Sequence, residues 1–193
     1  MSHFPIEEIR NEFPALSNGP TFLDNPGGTQ VPRRVISAIS NAMVSAASNL
    51  GGYFQASREA DLINERGHAA AASLLGGRSG QEIVIGQSMT TLTFQIARSL
   101  FRSWGPEDEV IVTRLDHEGN VSPWLLAAEE RGVSIRWLTF NRETWKIECE
   151  DLVPLLSHRT RLVAINYASN MTGSISPVAA LARCAKQAGA LVY

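Results

Sequence analysis

The sequence predicts an α/β fold, a three-layer sandwich in which helices cover both faces of a mainly parallel sheet. The first observation behind this prediction is the regular alternation of short apolar segments with amphipathic helical segments in the second half of the chain. The second is composition, because the 193 residues include 44% hydrophobic and 19% charged residues, as in folded globular proteins. Disordered, collagen-like and coiled-coil classes are therefore excluded.

The first third of the chain is predicted to be mainly helical. Apolar residues at helical spacing predict a short helix over 6–13, which Pro14 ends, and a long helix over 32–47. A second long helix is predicted over 57–75, with Ser57 as its N-cap and a pair of glycines directly after it.

The remainder of the chain alternates between strands and helices. Runs of apolar and β-branched residues predict strands at 82–86, 109–113, 134–138, 161–166 and, as the opening of a further strand, 190–193. Amphipathic segments bounded by capping residues, glycine or proline predict helices at 88–104, 122–131, 150–156 and 177–188. This order of elements predicts the mainly parallel sheet.

Polar residues are concentrated in three loops that directly follow predicted strands, at 86–91, 113–120 and 166–173. In open α/β sheets, ligands bind beyond the carboxyl ends of the strands, so these loops form the candidate site. The first loop opens a helix with hydroxyl groups and free amides, an arrangement that suits a phosphate. The alternative is that Ser88 or Thr90 only caps that helix.

The other two loops carry groups suited to a planar or hydroxylated ligand. His117 lies past the second strand beside two carboxylates. Its ring could stack on a ligand or move a proton, or it could be a hydrogen-bonded surface residue. The loop around Asn170 could bind a hydroxyl group or could bond its own turn. Each loop, taken alone, leaves these alternatives open.

Several function classes lack their sequence signatures. The net charge of −2 provides no basic stripe, so nucleic acid is not an expected partner. No window is apolar enough for a membrane span, and the N-terminus has no secretory signal pattern. Dinucleotide, P-loop and zincin motifs are absent and the four histidines lack ligand spacing, so no metal is expected. Cys149 and Cys184 form no paired motif, which predicts a reducing compartment and a cytoplasmic protein.

Four segments, taken in order, resemble the class V aminotransferases, and in particular their cysteine desulfurase-like branch. These segments are residues 24–32, 86–94, 113–124 and 168–173. The resemblance implies the large domain of fold type I enzymes, which depend on pyridoxal 5'-phosphate (PLP). It divides the chain into an N-terminal helical segment, 1–20, and the N-terminal part of the PLP-binding large domain, 21–193, truncated at its C-terminal end.

The resemblance also implies which residues bind the cofactor. In the family, the residues that match Ser88, Met89 and Thr90 bind the cofactor phosphate. The histidine that matches His117 stacks on the pyridine ring, and the asparagine that matches Asn170 donates a hydrogen bond to the phenolic oxygen of the ring. These implied roles agree with the chemistry of a helix terminus, a flat π-system and an amide donor.

A PLP-dependent transferase or lyase that acts on a small amino acid as a homodimer is the function that the resemblance implies. Asn25 and Gly27 match the turn that lines the substrate side of the pocket. Gly51 and Gly52 stand where cysteine desulfurases usually carry His-Arg. Desulfurase, aminotransferase and other lyase activities therefore remain open.

No catalytic residue is assigned within the chain. The family's lysine that links covalently to the cofactor, and its aspartate that pairs with the pyridinium nitrogen, would lie beyond Tyr193. The chain is therefore interpreted as the N-terminal half of such an enzyme. This polypeptide alone is expected to bind cofactor weakly and to turn over no amino acid. The alternative is a truncated, non-catalytic α/β protein that keeps only a binding surface.

Overall fold

The structure is a computed structural model that describes residues 4–17, 19 and 21–193. The chain divides into two compact units, Met1–Ile85 and Gly86–Tyr193, and each is considered by itself. The domains predicted at 1–20 and 21–193 stay a prediction, and residues 1–3, 18 and 20 of the first lie outside the described residues. In the part of the chain that is described, no helix is long and apolar enough to cross a membrane.

The first unit is helical, as predicted. Its helices are α1 (Ile6–Asn11), α2 (Arg33–Ser45) and α3 (Gln55–Leu75), and short 3-10 helices occupy Pro14–Leu16, Asn25–Gly27 and Gly80–Glu82. The three predicted helices are confirmed, with ends that differ by about two residues. Helix α3 is capped at its carboxyl end by Gly76, whose left-handed backbone (φ 72°) favours a residue without a Cβ.

The predicted N-cap of α3 is wrong. The helix begins at Gln55 with Phe54 at the cap position, so Ser57 lies inside its first turn. The Ser57 hydroxyl is buried, accepts a bond from the Gly52 amide at 2.7 Å and donates one to the Asn49 carbonyl at 2.7 Å. Ser57 therefore fixes the turn that precedes the helix, a contact that spacing within the helix does not reveal.

The strand predicted at 82–86 is also absent. Ile83 has an extended backbone (φ −102°, ψ 130°), but the segment pairs with no strand among the described residues. The side chains of Val84 and Ile85 are 76% and 59% exposed. A β-branched sequence favours extended backbone, whereas a strand also needs a hydrogen-bonded neighbour, which local sequence does not specify.

The second unit contains a four-stranded parallel sheet with the order β2-β1-β3-β4. The strands are β1 (Glu109–Thr113), β2 (Ser134–Leu138), β3 (Thr160–Ala164) and β4 (Leu191–Val192), and the helices are α4 (Met89–Leu100), α5 (Ser122–Arg131), α6 (Cys149–Leu152) and α7 (Val178–Gln187). The predicted bounds of β1, β2 and α5 are confirmed to the residue. The end of the helix predicted to reach residue 104 is a 3-10 turn, Phe101–Ser103.

Helices cover both faces of this sheet, which confirms the three-layer arrangement. In β1, Val110 and Val112 point to one face and Ile111 to the other, and all three are fully buried. The first face packs against α4 and α5 through Ala97, Phe101, Trp124, Ala127 and Ala128. The second face packs against α6 and α7 through Leu152, Leu181 and Ala185.

The order of the strands creates a crevice at their carboxyl ends. From β1 the chain passes through α5 to β2 on one side, and it later continues from β3 through α7 to β4 on the other side. Because α5 and α7 lie on opposite faces, the loops after β1 and β3 leave the sheet in opposite directions. This reversal point is where open α/β sheets bind ligands.

Ion pairs close the opposite, amino-terminal end of the sheet. The Asp108 carboxylate accepts a bond from Arg161 Nε at 2.5 Å and from the Gly105 amide at 2.9 Å. Burial raises the pKa of Asp108, but the Gly105 and Arg161 bonds outweigh it, and the net pKa is below the usual value. Beside it, Glu109 accepts a bond from the Ser157 hydroxyl and pairs with Arg136 at 3.6 Å.

We expect Asp108→Asn to remove a pH-dependent part of the stability. A lowered pKa means that the carboxylate stabilises the folded state above pH 3.8, the usual aspartate pKa, and that this contribution is lost as the pH falls further. The variant should therefore lose unfolding free energy at pH 7. The loss should be only about 1 kcal/mol, because solvent screens the half-exposed Arg161. Urea unfolding at several pH values from 7 to 3 measures the unfolding free energy of the variant and of the unchanged protein. The difference between the two should shrink as the pH falls. A difference that stays constant would contradict the lowered pKa of Asp108.

Candidate functional site

The N-terminus of α4 faces the crevice with unbonded amides. Ser88 is the N-cap, and its hydroxyl oxygen accepts a bond from the Thr91 amide at 3.2 Å. Ser88 therefore caps α4, and its role toward a phosphate stays a prediction. The amides of Met89 and Thr90 have no acceptor within the helix, because the first amides of any α-helix lack one, and the helix dipole makes this end positive.

The loop after β1 is held by the Asp116 carboxylate. One of its oxygens accepts a bond from the His117 amide at 2.7 Å, and the other accepts one from Asn120 Nδ2 at 2.7 Å. Asn120 in turn accepts a bond from Trp124 Nε1 at 3.1 Å. Burial raises the pKa of Asp116, although the bonds from Asn120 and His117 partly offset the effect. The carboxylate orders its own loop rather than facing the crevice freely.

His117 presents an exposed ring at the start of this loop. Its Nδ1 accepts a hydrogen bond from the Gly119 amide at 2.9 Å. This bond assigns the proton of the neutral ring to Nε2, since one ring nitrogen accepts and the other donates. The neighbouring Glu118 carboxylate accepts a bond from the Ser122 hydroxyl. The imidazole is therefore oriented by the backbone while its faces remain accessible.

Gly119 joins the His117 loop to the start of α4. A Cβ added at Gly119 would lie 2.6 Å from Thr90 Oγ1, 3.1 Å from His117 Nδ1 and 3.3 Å from Met89 Cε. The structure thus brings together three residues singled out in the sequence, Met89, Thr90 and His117, around a glycine. Gly119 itself was missed; the only local signal is a glycine within the polar loop that follows a strand.

The loop after β3 bonds mainly to itself. Ser169 Oγ accepts bonds from the amides of Met171 and Thr172 at 3.2 and 3.3 Å, and Gly173 adopts a left-handed backbone (φ 70°). Asn170 is exposed on this turn. One side chain reaches the neighbouring loop, since Asn166 Nδ2 donates to the Leu115 carbonyl at 3.1 Å.

Tyr193, which follows β4, joins α4 to α5 through one hydrogen bond and one aromatic contact. The Thr93 hydroxyl, which is fully buried, lies 2.8 Å from the Tyr193 hydroxyl at the end of β4. The Tyr193 ring packs edge-on against Trp124 with centroids 5.0 Å apart. Sequence reasoning gave no role to Asp116, Asn120 or this pair. Asp116 and Asn120 bond to residues only one and four positions away, but no recognised motif predicts those bonds, whereas Thr93 and Tyr193 lie 100 positions apart.

The two residues predicted to line the substrate side, Asn25 and Gly27, belong to the first unit and form a 3-10 helix. Asn25 lines a cleft of about 330 Å³ together with Arg10 and Thr29. A Cβ added at Gly27 would lie 2.6 Å from Asp24 Oδ2, so a side chain there would have to displace the exposed Asp24 carboxylate. Their role toward a substrate stays a prediction.

The donor set around Gly119 fits a phosphorylated, planar ligand. A positive helix end with free amides and the Thr90 hydroxyl suits a phosphate dianion, and the exposed His117 ring beside them suits a flat ring system. Among the described residues, no cluster of three or more His, Cys, Asp and Glu side chains is arranged to hold a metal ion.

Comparison with known proteins gives a consistent result. Residues 21–193 match the family described as Aminotransferase class-V. The chain is 36% identical over 186 residues to the aminotransferase-like protein FGM3 of Gibberella zeae, with 94% of this chain and 46% of that protein covered. It is 34% identical over 198 residues to a probable cysteine desulfurase of Aeropyrum pernix, covering all of this chain and 47% of the relative. The chain thus spans about half the length of these curated relatives.

Solved structures show the same fold. The cysteine desulfurase CsdA of Escherichia coli is similar with a TM-score of 0.86 and 26% identity, over 99% of this chain and 48% of that one. The cysteine desulfurase of Thermococcus onnurineus is similar with a TM-score of 0.90 at 22% identity, over all of this chain and 47% of that one, a likeness of fold alone. Because the family match covers most of its length, the chain belongs to the class V aminotransferase family.

Proposed function

We propose that this chain forms part of a PLP-dependent transferase or lyase and supplies the residues that hold the cofactor phosphate and ring. The observation that carries the proposal is the junction at Gly119, where the N-terminus of α4 meets the His117 loop. In the proposal, Ser88, Met89 and Thr90 surround the phosphate. His117 stacks on the ring.

The phosphate assignment is supported by the electrostatics of the helix end. The free amides of Met89 and Thr90 point out of α4 and the helix dipole favours an anion there. The Thr90 hydroxyl adds a donor beside them. The carboxylates of Asp116 and Glu118 accept bonds from groups of their own loop and of the adjoining helix start, so they do not occupy the free amides of α4.

The ring assignment is supported by the exposure and orientation of His117. Its imidazole is held by the Gly119 amide and offers a flat face next to the proposed phosphate position. When bound, the cofactor supplies a conjugated ring that withdraws electrons from an attached amino acid. Asn170, exposed on the loop after β3, is proposed to donate its amide to the phenolic oxygen of that ring.

The same proposal includes a small amino-acid substrate bound beside Asn25 and Gly27, a homodimer and a cytoplasmic location. The reaction type is left as transferase or lyase. The Gly51 amide bonds to the Asp61 carboxylate and the Gly52 amide to Ser57, so this segment orders a turn and offers no side-chain donor of the His-Arg kind.

Phosphate binding is tested with pyridoxine 5'-phosphate, a PLP analogue that has no aldehyde and cannot react with either lysine of the chain. We expect it to bind at least tenfold more tightly than pyridoxine, because a charge-assisted hydrogen bond contributes about 1.5–3 kcal/mol. Thr90→Ala should weaken binding about tenfold, for the same reason. Thr90→Ser, which keeps the hydroxyl, is the matched control. Isothermal titration measures the affinities; equal affinity for the two ligands would contradict the phosphate site.

Ring stacking is tested separately with His117 variants and the same ligand. His117→Ala should weaken binding about threefold to tenfold, because an aromatic pair contributes about 0.5–1.5 kcal/mol. His117→Phe keeps a flat aromatic ring, so its affinity for the ligand should fall less than that of His117→Ala. Circular dichroism checks that the fold is unchanged, and unaltered affinity in His117→Ala would rule out the stacking role.

A further inference from the structure

Asn166 links the two loops that border the crevice. It directly follows β3, and its side-chain Nδ2 donates a hydrogen bond to the backbone carbonyl of Leu115, in the loop after β1, at 3.1 Å. The two loops begin side by side, because β1 and β3 are paired in the sheet, and they then leave it in opposite directions. The bond therefore joins the two loops close to the ends of their strands.

Leu115 is fixed through all of its polar and apolar groups. Its amide donates to Thr113 Oγ1 at 3.0 Å, and its buried side chain belongs to the core on the α6 and α7 face. The carbonyl is held by Asn166. Since this carbonyl begins the peptide unit that leads into Asp116, its orientation sets the direction in which the loop leaves the strand.

This direction is transmitted to the ring of His117. Asp116 follows Leu115 and accepts bonds from the His117 amide and from Asn120. The ring is then fixed by the bond between His117 Nδ1 and the Gly119 amide. A displacement of the Leu115 carbonyl would therefore move the imidazole, although Asn166 does not itself touch it.

The Asn166 amide can act in only one orientation. Its Oδ1 is buried and has no hydrogen-bond partner among the residues that the structure describes. Turning the amide over would place this oxygen against the Leu115 carbonyl, where two acceptors repel each other. We propose that Asn166 is a positioning residue whose amide donor sets the His117 loop for binding the cofactor ring. This inference rests on the proposed function.

The test exchanges the donor for an acceptor of the same shape. Asn166→Asp should lower the affinity for pyridoxine 5'-phosphate by no more than His117→Ala does, about threefold to tenfold, because a bond is lost, an acceptor faces a carbonyl and the His117 ring is displaced. In a His117→Ala background the same change should cause little further loss, since Asn166 acts through that ring. Asn141→Asp is the control: Asn141 Oδ1 accepts the Glu143 and Thr144 amides, which a carboxylate also does.

The outcomes separate this inference from the proposed function. Unchanged affinity in Asn166→Asp, or a loss that adds fully to that of His117→Ala, overturns the positioning role. Unchanged affinity in both His117→Ala and Thr90→Ala overturns the proposed function instead. Urea unfolding monitors the fold of each variant. If Asn166→Asp does not fold, Asn166→Ala removes the donor without adding a charge. Its effect on affinity is then compared with and without His117→Ala, and a loss that adds fully to that of His117→Ala again overturns the positioning role.

Discussion

The central strand β1 has hydrogen-bonded neighbours on both edges and packed helices on both faces, and the arrangement of the second unit follows from this. A strand in this position needs apolar side chains on both faces, which Val110, Ile111 and Val112 supply. Since the backbone of β1 pairs with a neighbouring strand on each side, the chain becomes available for other interactions mainly beyond Thr113. Polar groups that serve a ligand must therefore come from the loops at the strand ends.

Those loops are ordered by side chains that bond to backbone groups. Asp116 and Ser169 each accept two bonds within their own loops, and Asn166 joins one loop to the other. Such bonds satisfy backbone groups that the sheet no longer pairs, which limits the conformations of an exposed segment. None of these bonds involves the faces of the His117 ring. His117 therefore contributes to the order of its loop through Nδ1, at the edge of the ring, and not through the ring faces.

The sequence predicted most of the sheet and the location of the candidate site, but not the contacts that shape it. Strand β1 and helix α5 were predicted to the residue because their apolar patterns and stop signals are local. The prediction of a strand at 82–86 was wrong, because a strand needs a neighbouring strand to pair with, which local sequence does not specify. The polar loop after β1 indicated His117, and the polar segment 86–91, which no strand among the described residues precedes, indicated Thr90. The roles of Gly119 and Asn166 depend on which loops meet in space, and neither residue carries a local pattern that predicts such a contact.

The two ends of the sheet differ in how their positive groups are paired, and this difference bears on which end is suited to an anion. At the amino end, Asp108 and Glu109 are paired with arginines of neighbouring strands, so the positive charges there are already used. At the carboxyl end, the positive terminus of α4 has no carboxylate as its cap, because Ser88 occupies that position. Helix α4 is held in place one turn later by the bond between Thr93 and Tyr193. The free amides are therefore fixed before a ligand arrives, which lowers the entropy that binding has to remove.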